Sequence, residues 1–200
     1  FEKVARVFRD RERYEALAAI HDDVLARIEA DLPAEADRPT VAMGGFSDPS
    51  APYVYNVDTP GFLTAHVRPF APRDAFDDGV TSASRIDMET LLEADPDVIL
   101  VLGGLHPTYD MAEIRSTLED DPVAGEVTAV QNGRIYAQGA RYQGPILNLF
   151  QLEMTAKQLY PDVFGTWPDY VEGPYPEIPA AEQFFDRQRV ADIITGDEGV

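Results

Sequence analysis

An arginine and a tyrosine stand side by side in a loop with glycine and proline at its ends, at residues 139–145. The guanidinium of Arg141 can grip carboxylate or catecholate oxygens through two parallel hydrogen bonds. The ring of Tyr142 can stack on a planar group, or its hydroxyl can donate a hydrogen bond. The pair therefore predicts contact with an anionic ligand or a metal chelate. The alternative is that Arg141 pairs with one of the many surface carboxylates.

A histidine follows a glycine pair in the stretch GGLHP, at residues 103–107. The imidazole of His106 could ligate iron or cobalt, but we prefer a helix cap or another plain polar contact. His21, His66 and His106 fall on three unrelated predicted elements, which argues against a three-histidine zinc site. The sequence has no cysteine, which excludes disulfides, thiolate catalysis and cysteine-ligated metal centres. We therefore expect neither a resident metal nor a cofactor.

The strongest bulk feature is an excess of acidic residues, with 36 Asp plus Glu against 16 Lys plus Arg and a formal net charge of −20. A phosphate backbone would be repelled and no basic stripe is present, so nucleic acid is excluded as a partner. Only Lys3 and Lys157 are lysines. Excess acid with scarce lysine is typical of proteins adapted to high salt, such as those of haloarchaea, because screening removes the self-repulsion of the chain.

The periodicity of apolar residues predicts helices and strands in alternation. Apolar side chains at three- and four-residue steps from Tyr14 to Leu32 predict a long amphipathic helix, with His21 on its apolar side, that Pro33 stops. Thr59 is a candidate cap for another helix. The remaining predicted helices cover residues 87–94, 109–118 and 146–160, with one short amphipathic helix within 184–199. The predicted strands cover residues 40–46, 53–56, 98–102 and 134–138.

This order of elements predicts an α/β fold, a three-layer sandwich with a mainly parallel central sheet. The continuous apolar strand at residues 98–102 is typical of a parallel sheet covered by helices on both faces. In such sheets, ligands bind beyond the carboxyl ends of the strands. Beyond Phe164 the sequence is rich in proline and poor in apolar residues, so we expect a tail packed on the domain and not a separate module.

Three phrases occur in order along the chain: RIDMETLLEADPDVILVLGG, then DDPVAGEVTAVQNGRIYAQ, then ILNLFQLEMTAKQLYPDVFG. Together they resemble the second lobe of the siderophore-, haem- and cobalamin-binding proteins of ABC importers, whose two lobes are joined by one long helix. No single phrase is diagnostic of that class. The resemblance covers about residues 40–165.

The resemblance implies a division of the chain into an inter-lobe connecting helix at residues 1–33, a carboxy-terminal ligand-binding lobe at 34–165 and a packed tail at 166–200. It also implies an extracellular, non-enzymatic protein that carries a ferric siderophore, cobalamin or haem to ABC permease subunits. A first lobe, a secretion signal and a lipid anchor to the cell surface would precede this chain, and the anchor would be its only contact with the membrane.

Under this resemblance the ligand pocket is lined by loops at the carboxyl ends of the strands. Tyr53 and Tyr55 flank one strand, and we expect them not to face the same side, so that at most one of them reaches the pocket. The candidate ligand-binding residues are Phe46, Ser47, Tyr53, Tyr55, Thr59, Phe62, His106, Tyr109, Arg141 and Tyr142.

Other classes of protein fit the residues less well. A response-regulator receiver needs an aspartate at the end of the strand, where this sequence has Gly103. It also needs a later lysine, and Lys157 is misplaced for that role because it lies in a terminal predicted helix. Metal-cluster oxidoreductases of the nitrogenase type share the general fold but require cysteines. The glycine pairs do not form a dinucleotide-binding turn, and no Ser–His–acid triad can be argued from residue order.

Overall fold

The computed structural model describes residues 11–46, 48, 51–58, 64–76, 83–139, 145–168 and 177–196. The helices are α1 (Arg11–Asp31), α2 (Met88–Ala94), α3 (Met111–Asp120), α4 (Thr128–Gln131), α5 (Pro145–Leu159), α6 (Pro161–Phe164) and α7 (Arg187–Thr195). The strands are β1 (Thr40–Gly45), β2 (Tyr53–Tyr55), β3 (Arg73–Asp74), β4 (Ser84–Arg85), β5 (Val98–Leu102) and β6 (Ile135–Gln138). Short 3-10 turns occupy Glu35–Asp37, Arg68–Phe70, Ala124–Glu126 and Ala180–Glu182.

The strands form one mixed sheet in the order β4-β2-β1-β5-β6, with β3 paired to β1 beyond that path. The pairs β1–β5, β5–β6 and β1–β3 are parallel, whereas β1–β2 and β2–β4 are antiparallel. Helices cover both faces, which confirms the α/β class with a mainly parallel central sheet. The strand at 98–102 has the predicted bounds, while β3 and β4 are too short to carry a sequence signal.

Alternation along the strands divides the core between the two faces of the sheet. Ala42, Ile99 and Val101 pack with residues of α2 and α3 on one face. On the other face, Val41, Met43, Val98 and Leu100 pack with residues of α1, α5 and α7, among them Ile20, Val24, Ile28, Leu152, Val190 and Ile193. The predicted apolar stripe of the first long helix is thus buried against the sheet.

Aspartates define where several helices begin. The carboxylate of Asp87 accepts hydrogen bonds from the Thr90 hydroxyl at 2.6 Å and from the Thr90 amide at 2.9 Å, and these bonds lower the pKa of Asp87. Asp110 caps α3 through the amides of Ala112 and Glu113. The helix therefore begins at Met111, whereas the sequence predicted a start at residue 109. The predicted cap Thr59 lies outside the described residues.

The segment from Phe184 to Ile193 packs on the same face of the sheet as α1, whereas Ile178 packs with the core residues of the other face. Phe184 and Phe185 are buried in the core, and the amide of Phe184 donates to a carboxylate oxygen of Glu153 on α5 at 3.1 Å. Arg187 at the start of α7 donates to the other oxygen of that carboxylate at 2.9 Å. Glu153 is fully buried, so this segment supplies the groups that compensate a charge inside the protein.

Within the described residues, every helix is too short or too polar to cross a membrane.

Two adjacent glycines of β1 differ sharply in the space around them. A side-chain carbon on Gly44 would stand 2.0 Å from the carbonyl oxygen of Tyr53 on the neighbouring strand, whereas one on Gly45 would meet no atom within 4 Å. The backbones of β1 and β2 approach each other at Gly44, and only glycine permits that approach.

We predict that Gly44→Ala lowers the free energy of unfolding by about 2–3 kcal/mol or more, because the new methyl group collides with backbone. Gly45→Ala is the matched control and should change it by less than about 1 kcal/mol. Urea unfolding of both variants measures the difference. Equal stability of the two variants would show that the strands do not approach as described.

Candidate functional site

The carboxyl edge of the sheet brings together residues from five strands. Because β1, β5 and β6 are parallel, they end at one edge, and Gly45 at the end of β1 pairs with Tyr53 at the start of β2. Tyr53 pairs in turn with Arg85 at the end of β4. The loop that carries His106 follows β5 at this same edge. This edge is the expected position for ligand binding in an open α/β sheet.

Tyr53 and Arg85 form an exposed aromatic–cation pair at this edge. The side chain of Tyr53 is 41% exposed, and the guanidinium carbon of Arg85 lies 4.3 Å from the centre of its ring. One guanidinium nitrogen donates to the carbonyl of Ala51 at 3.3 Å. No carboxylate of the described residues pairs with Arg85, although the chain is strongly acidic. Arg85 is not among the residues predicted from the sequence, because the two-residue strand β4 gives no local pattern.

Tyr53 and Tyr55 lie two residues apart in β2 and therefore project to the same face of the sheet. The expectation that they face opposite sides was wrong, because side chains in a strand alternate with a period of two. Val54 between them is buried in the other half of the core. Tyr55 is half-buried against the cluster around α1, so Tyr53 is the more open of the two rings.

Phe46 is completely buried and packs with core residues such as Val54 and Val101. Its side chain supports the end of β1 from beneath and does not line an open surface, which corrects the expectation that it contacts a ligand. Five of the predicted site residues lie outside the described residues, namely Ser47, Thr59, Phe62, Arg141 and Tyr142.

His106 and Tyr109 occupy a compact turn after β5. Gly103 begins the turn with a φ of 86°, and the amide of His106 donates to the carbonyl of Gly103 at 2.8 Å. The exposed imidazole of His106 contacts the hydroxyl of Thr108 at 2.8 Å, so it stabilises the turn, while Asp110 is the helix cap. The ring of Tyr109 is half-buried and lies over Gly103.

A cluster of polar side chains is buried beneath this edge. His66, Gln138 at the end of β6 and Gln158 on α5 are each at most 4% exposed. The amide of Gln138 donates to the Gln158 side-chain oxygen, and Gln158 donates to the Ala137 carbonyl at 3.2 Å. Burial lowers the pKa of His66 from 6.5 to about 4, an effect that the Gln138 side chain partly opposes. His66 is therefore neutral at neutral pH.

Beyond this edge, a groove of about 360 Å³ runs between α1 and α5, lined by apolar residues such as Leu17 and Ile146. His21 borders the groove and contacts the amide oxygen of Asn148 at 3.2 Å, the boundary position expected for it. Among the described residues, no three His, Asp or Glu side chains are grouped to hold a metal ion.

The sequence matches a family model described as periplasmic binding protein over residues 1–142. No curated protein sequence matches the chain. Solved structures with a similar fold include the periplasmic haem-binding protein HutB of Vibrio cholerae, with a TM-score of 0.62 and 20% identity. The alignment with HutB covers 80% of this chain and 61% of HutB.

Two further structures show the same likeness. An ABC-type Fe³⁺-hydroxamate transport protein from Saccharomonospora viridis aligns with a TM-score of 0.58 and 22% identity, over 78% of this chain and 52% of that one. The TroA-like periplasmic binding protein FepB from Veillonella parvula aligns with a TM-score of 0.64 and 17% identity, over 80% and 50%. The chain thus spans between half and about three fifths of the length of these proteins, and at these identities the likeness concerns the fold.

The buried neutral His66 predicts a loss of stability in acid. The unfolded chain takes up the proton near pH 6.5 and the folded chain only near pH 4, so stability falls as pH decreases between these values, by up to about 3 kcal/mol. His66→Gln should remove this part of the pH dependence. The exposed His106→Gln is the control and should keep it. Urea unfolding from pH 7 to pH 4 at constant salt measures the three slopes, and an unchanged slope for His66→Gln contradicts the prediction.

Proposed function

The chain belongs to the periplasmic binding protein family, and from this premise we propose that it helps to bind a ferric siderophore or a related iron chelate for an ABC importer. Proteins of this family bind solutes and are not enzymes, as the sequence led us to expect. The single observation that carries the proposal is the family match. The Fe³⁺-hydroxamate and haem proteins among the similar structures support an iron-containing ligand.

The chemistry of the carboxyl edge supports an anionic ligand with a planar or aromatic part. Tyr53 offers an exposed ring face, and Arg85 holds a guanidinium beside it that pairs with no carboxylate of the described residues. A guanidinium can donate two parallel hydrogen bonds to a catecholate, hydroxamate or carboxylate, and the ring can pack on a planar group. Arg141 and Tyr142, which follow β6 in the sequence, would contribute the same pair of chemistries.

In this proposal, residues 34–165 form one lobe, 1–33 connect it to another lobe, and 166–200 pack on its surface. The ligand would be held between the two lobes, and α1 would restrict their movement to a small hinge closure that the permease senses. The open apolar groove between α1 and α5 is the kind of surface that a second lobe would cover. The protein would act outside the cell, held there by a lipid anchor upstream of this chain.

Haem is the second candidate ligand, favoured by the likeness to HutB. It has two propionates for arginine side chains and a flat ring for tyrosine side chains. Cobalamin, which the sequence resemblance also implies, has no comparable support among these structures.

The protein with both lobes should bind one ligand of a defined panel with micromolar or tighter affinity. The panel contains a ferric trihydroxamate, a ferric tricatecholate, haemin and cyanocobalamin, measured by fluorescence quenching in high salt. Free ferric citrate and ATP are the controls and should bind weakly. Binding of ATP, or of no iron chelate and no haemin, would contradict the proposed function.

Replacing Arg85 by glutamine should weaken binding of the panel ligand by about ten- to a hundredfold, because a charge-assisted hydrogen bond contributes about 1.5–3 kcal/mol. Arg189→Gln, an exposed arginine on α7, is the matched control and should leave the affinity unchanged. Unaltered affinity in Arg85→Gln, with tight binding by the wild type, would exclude Arg85 from the ligand site while leaving the proposed function intact.

A further inference from the structure

A second concavity lies at the opposite edge of the sheet, where the parallel strands begin. Its volume is about 460 Å³, which lies within the range of pockets that bind small molecules. It is bordered by Arg38 ahead of β1, Asp97 ahead of β5, Arg134 ahead of β6, and Tyr160 at the end of α5. This position separates it from the carboxyl edge by the length of the strands.

Three arginines line this cavity, and backbone carbonyls hold each of them in place. Arg38 donates to the carbonyl of Pro33 at 3.2 Å, and Arg73 donates to the carbonyl of Arg38 at 3.0 Å. Arg134 donates to the carbonyl of Leu159 at 3.0 Å. Carbonyl contacts fix the planes of the guanidinium groups and leave other N–H groups unused, so the donors are preorganised before any ligand arrives.

The acidic groups of the cavity do not neutralise Arg38 and Arg134. Asp97 is engaged with the amide of Thr40 at 2.7 Å and lies 3.7 Å from Arg73. Within the part of the chain that the structure describes, all hydrogen-bond partners of the Arg38 and Arg134 side chains are carbonyl oxygens, and neither forms an ion pair with a carboxylate. Both arginines are half-buried.

Within the described residues, these two half-buried cations have no carboxylate partner, although the chain contains 36 acidic residues. A partly desolvated guanidinium is stabilised by an anion, and among the described residues only neutral carbonyl oxygens accept hydrogen bonds from these two side chains. The other two carboxylates at the cavity, those of Asp37 and Asp162, belong to exposed residues, so water screens them from the arginines.

We propose that this cavity is a binding site for a small oxyanion, a phosphate or a carboxylate, with Arg38 and Arg134 as its principal donors. Arg73 contributes a further positive charge at the side next to Asp97. Tyr160 forms part of the wall, and its hydroxyl is already committed to the carbonyl of Phe70 at 2.8 Å. The site is independent of the proposed solute cleft, because it shares no residue with the carboxyl edge.

The test is titration with sodium phosphate or citrate against sodium chloride at equal ionic strength, followed by NMR of the arginine Nε–Hε groups. We expect the signals of Arg38 and Arg134 to shift in a saturable manner with phosphate, citrate or both, and that of Arg189 on α7, outside the cavity, to stay in place. Phosphate alone would assign a phosphate ligand and citrate alone a carboxylate. If neither anion shifts the Arg38 and Arg134 signals more than chloride does, or if Arg189 shifts equally, the proposal is overturned.

Variants give a second readout by isothermal titration calorimetry with the same anions. Arg38→Gln should weaken binding by about tenfold, since one charged donor is lost. Arg38→Lys keeps the charge without the fork of donors and should retain part of the affinity. Arg189→Gln, an exposed residue of α7 outside this cavity, is the matched control and should bind like the wild type. Equal affinity of Arg38→Gln and the wild type would contradict the assignment, and the NMR result decides the case if a variant fails to fold.

Discussion

The polar groups that helix α5 carries into the protein interior are the constraint on which the rest of the fold depends. The helix is buried on all sides from Gln151 to Leu159. Glu153 accepts from the segment before α7, and Lys157 donates to the carbonyl of Phe164 at 2.8 Å. Burial lowers the pKa of Lys157, an effect that the nearby Glu153 charge opposes. Each of these charges is tolerable only because its partner is also held inside.

This arrangement makes α5 the element that joins the parts of the molecule. Gln158 connects it to the end of β6 and hence to the carboxyl edge of the sheet. Lys157 ties it to the turn after α6, where Gly165 adopts a φ of 83°. Glu153 fastens the carboxy-terminal segment through Arg187.

The acidic composition makes the hydrogen-bond and stacking partners of the arginines informative. In a chain with so many carboxylates, most arginine and lysine side chains could form an ion pair. Where a guanidinium instead donates to carbonyls or stacks on a ring, the local fold determines that contact. Arg85 at one edge of the sheet, and Arg38 and Arg134 at the other, are of this kind. These arginines therefore offer guanidinium groups to anionic ligands at both ends of the strands.

The sequence by itself determined the elements whose signals are local. The stripe of α1, the strand at 98–102 and the helix that begins near Asp87 depend on neighbours a few residues away, and the structure confirms them. Only the tertiary structure decided that Phe46 is buried, that Tyr53 meets Arg85, and that Arg38 shares a cavity with Arg134. These facts depend on strand register and on which segments cross, and no spacing within a single segment encodes them.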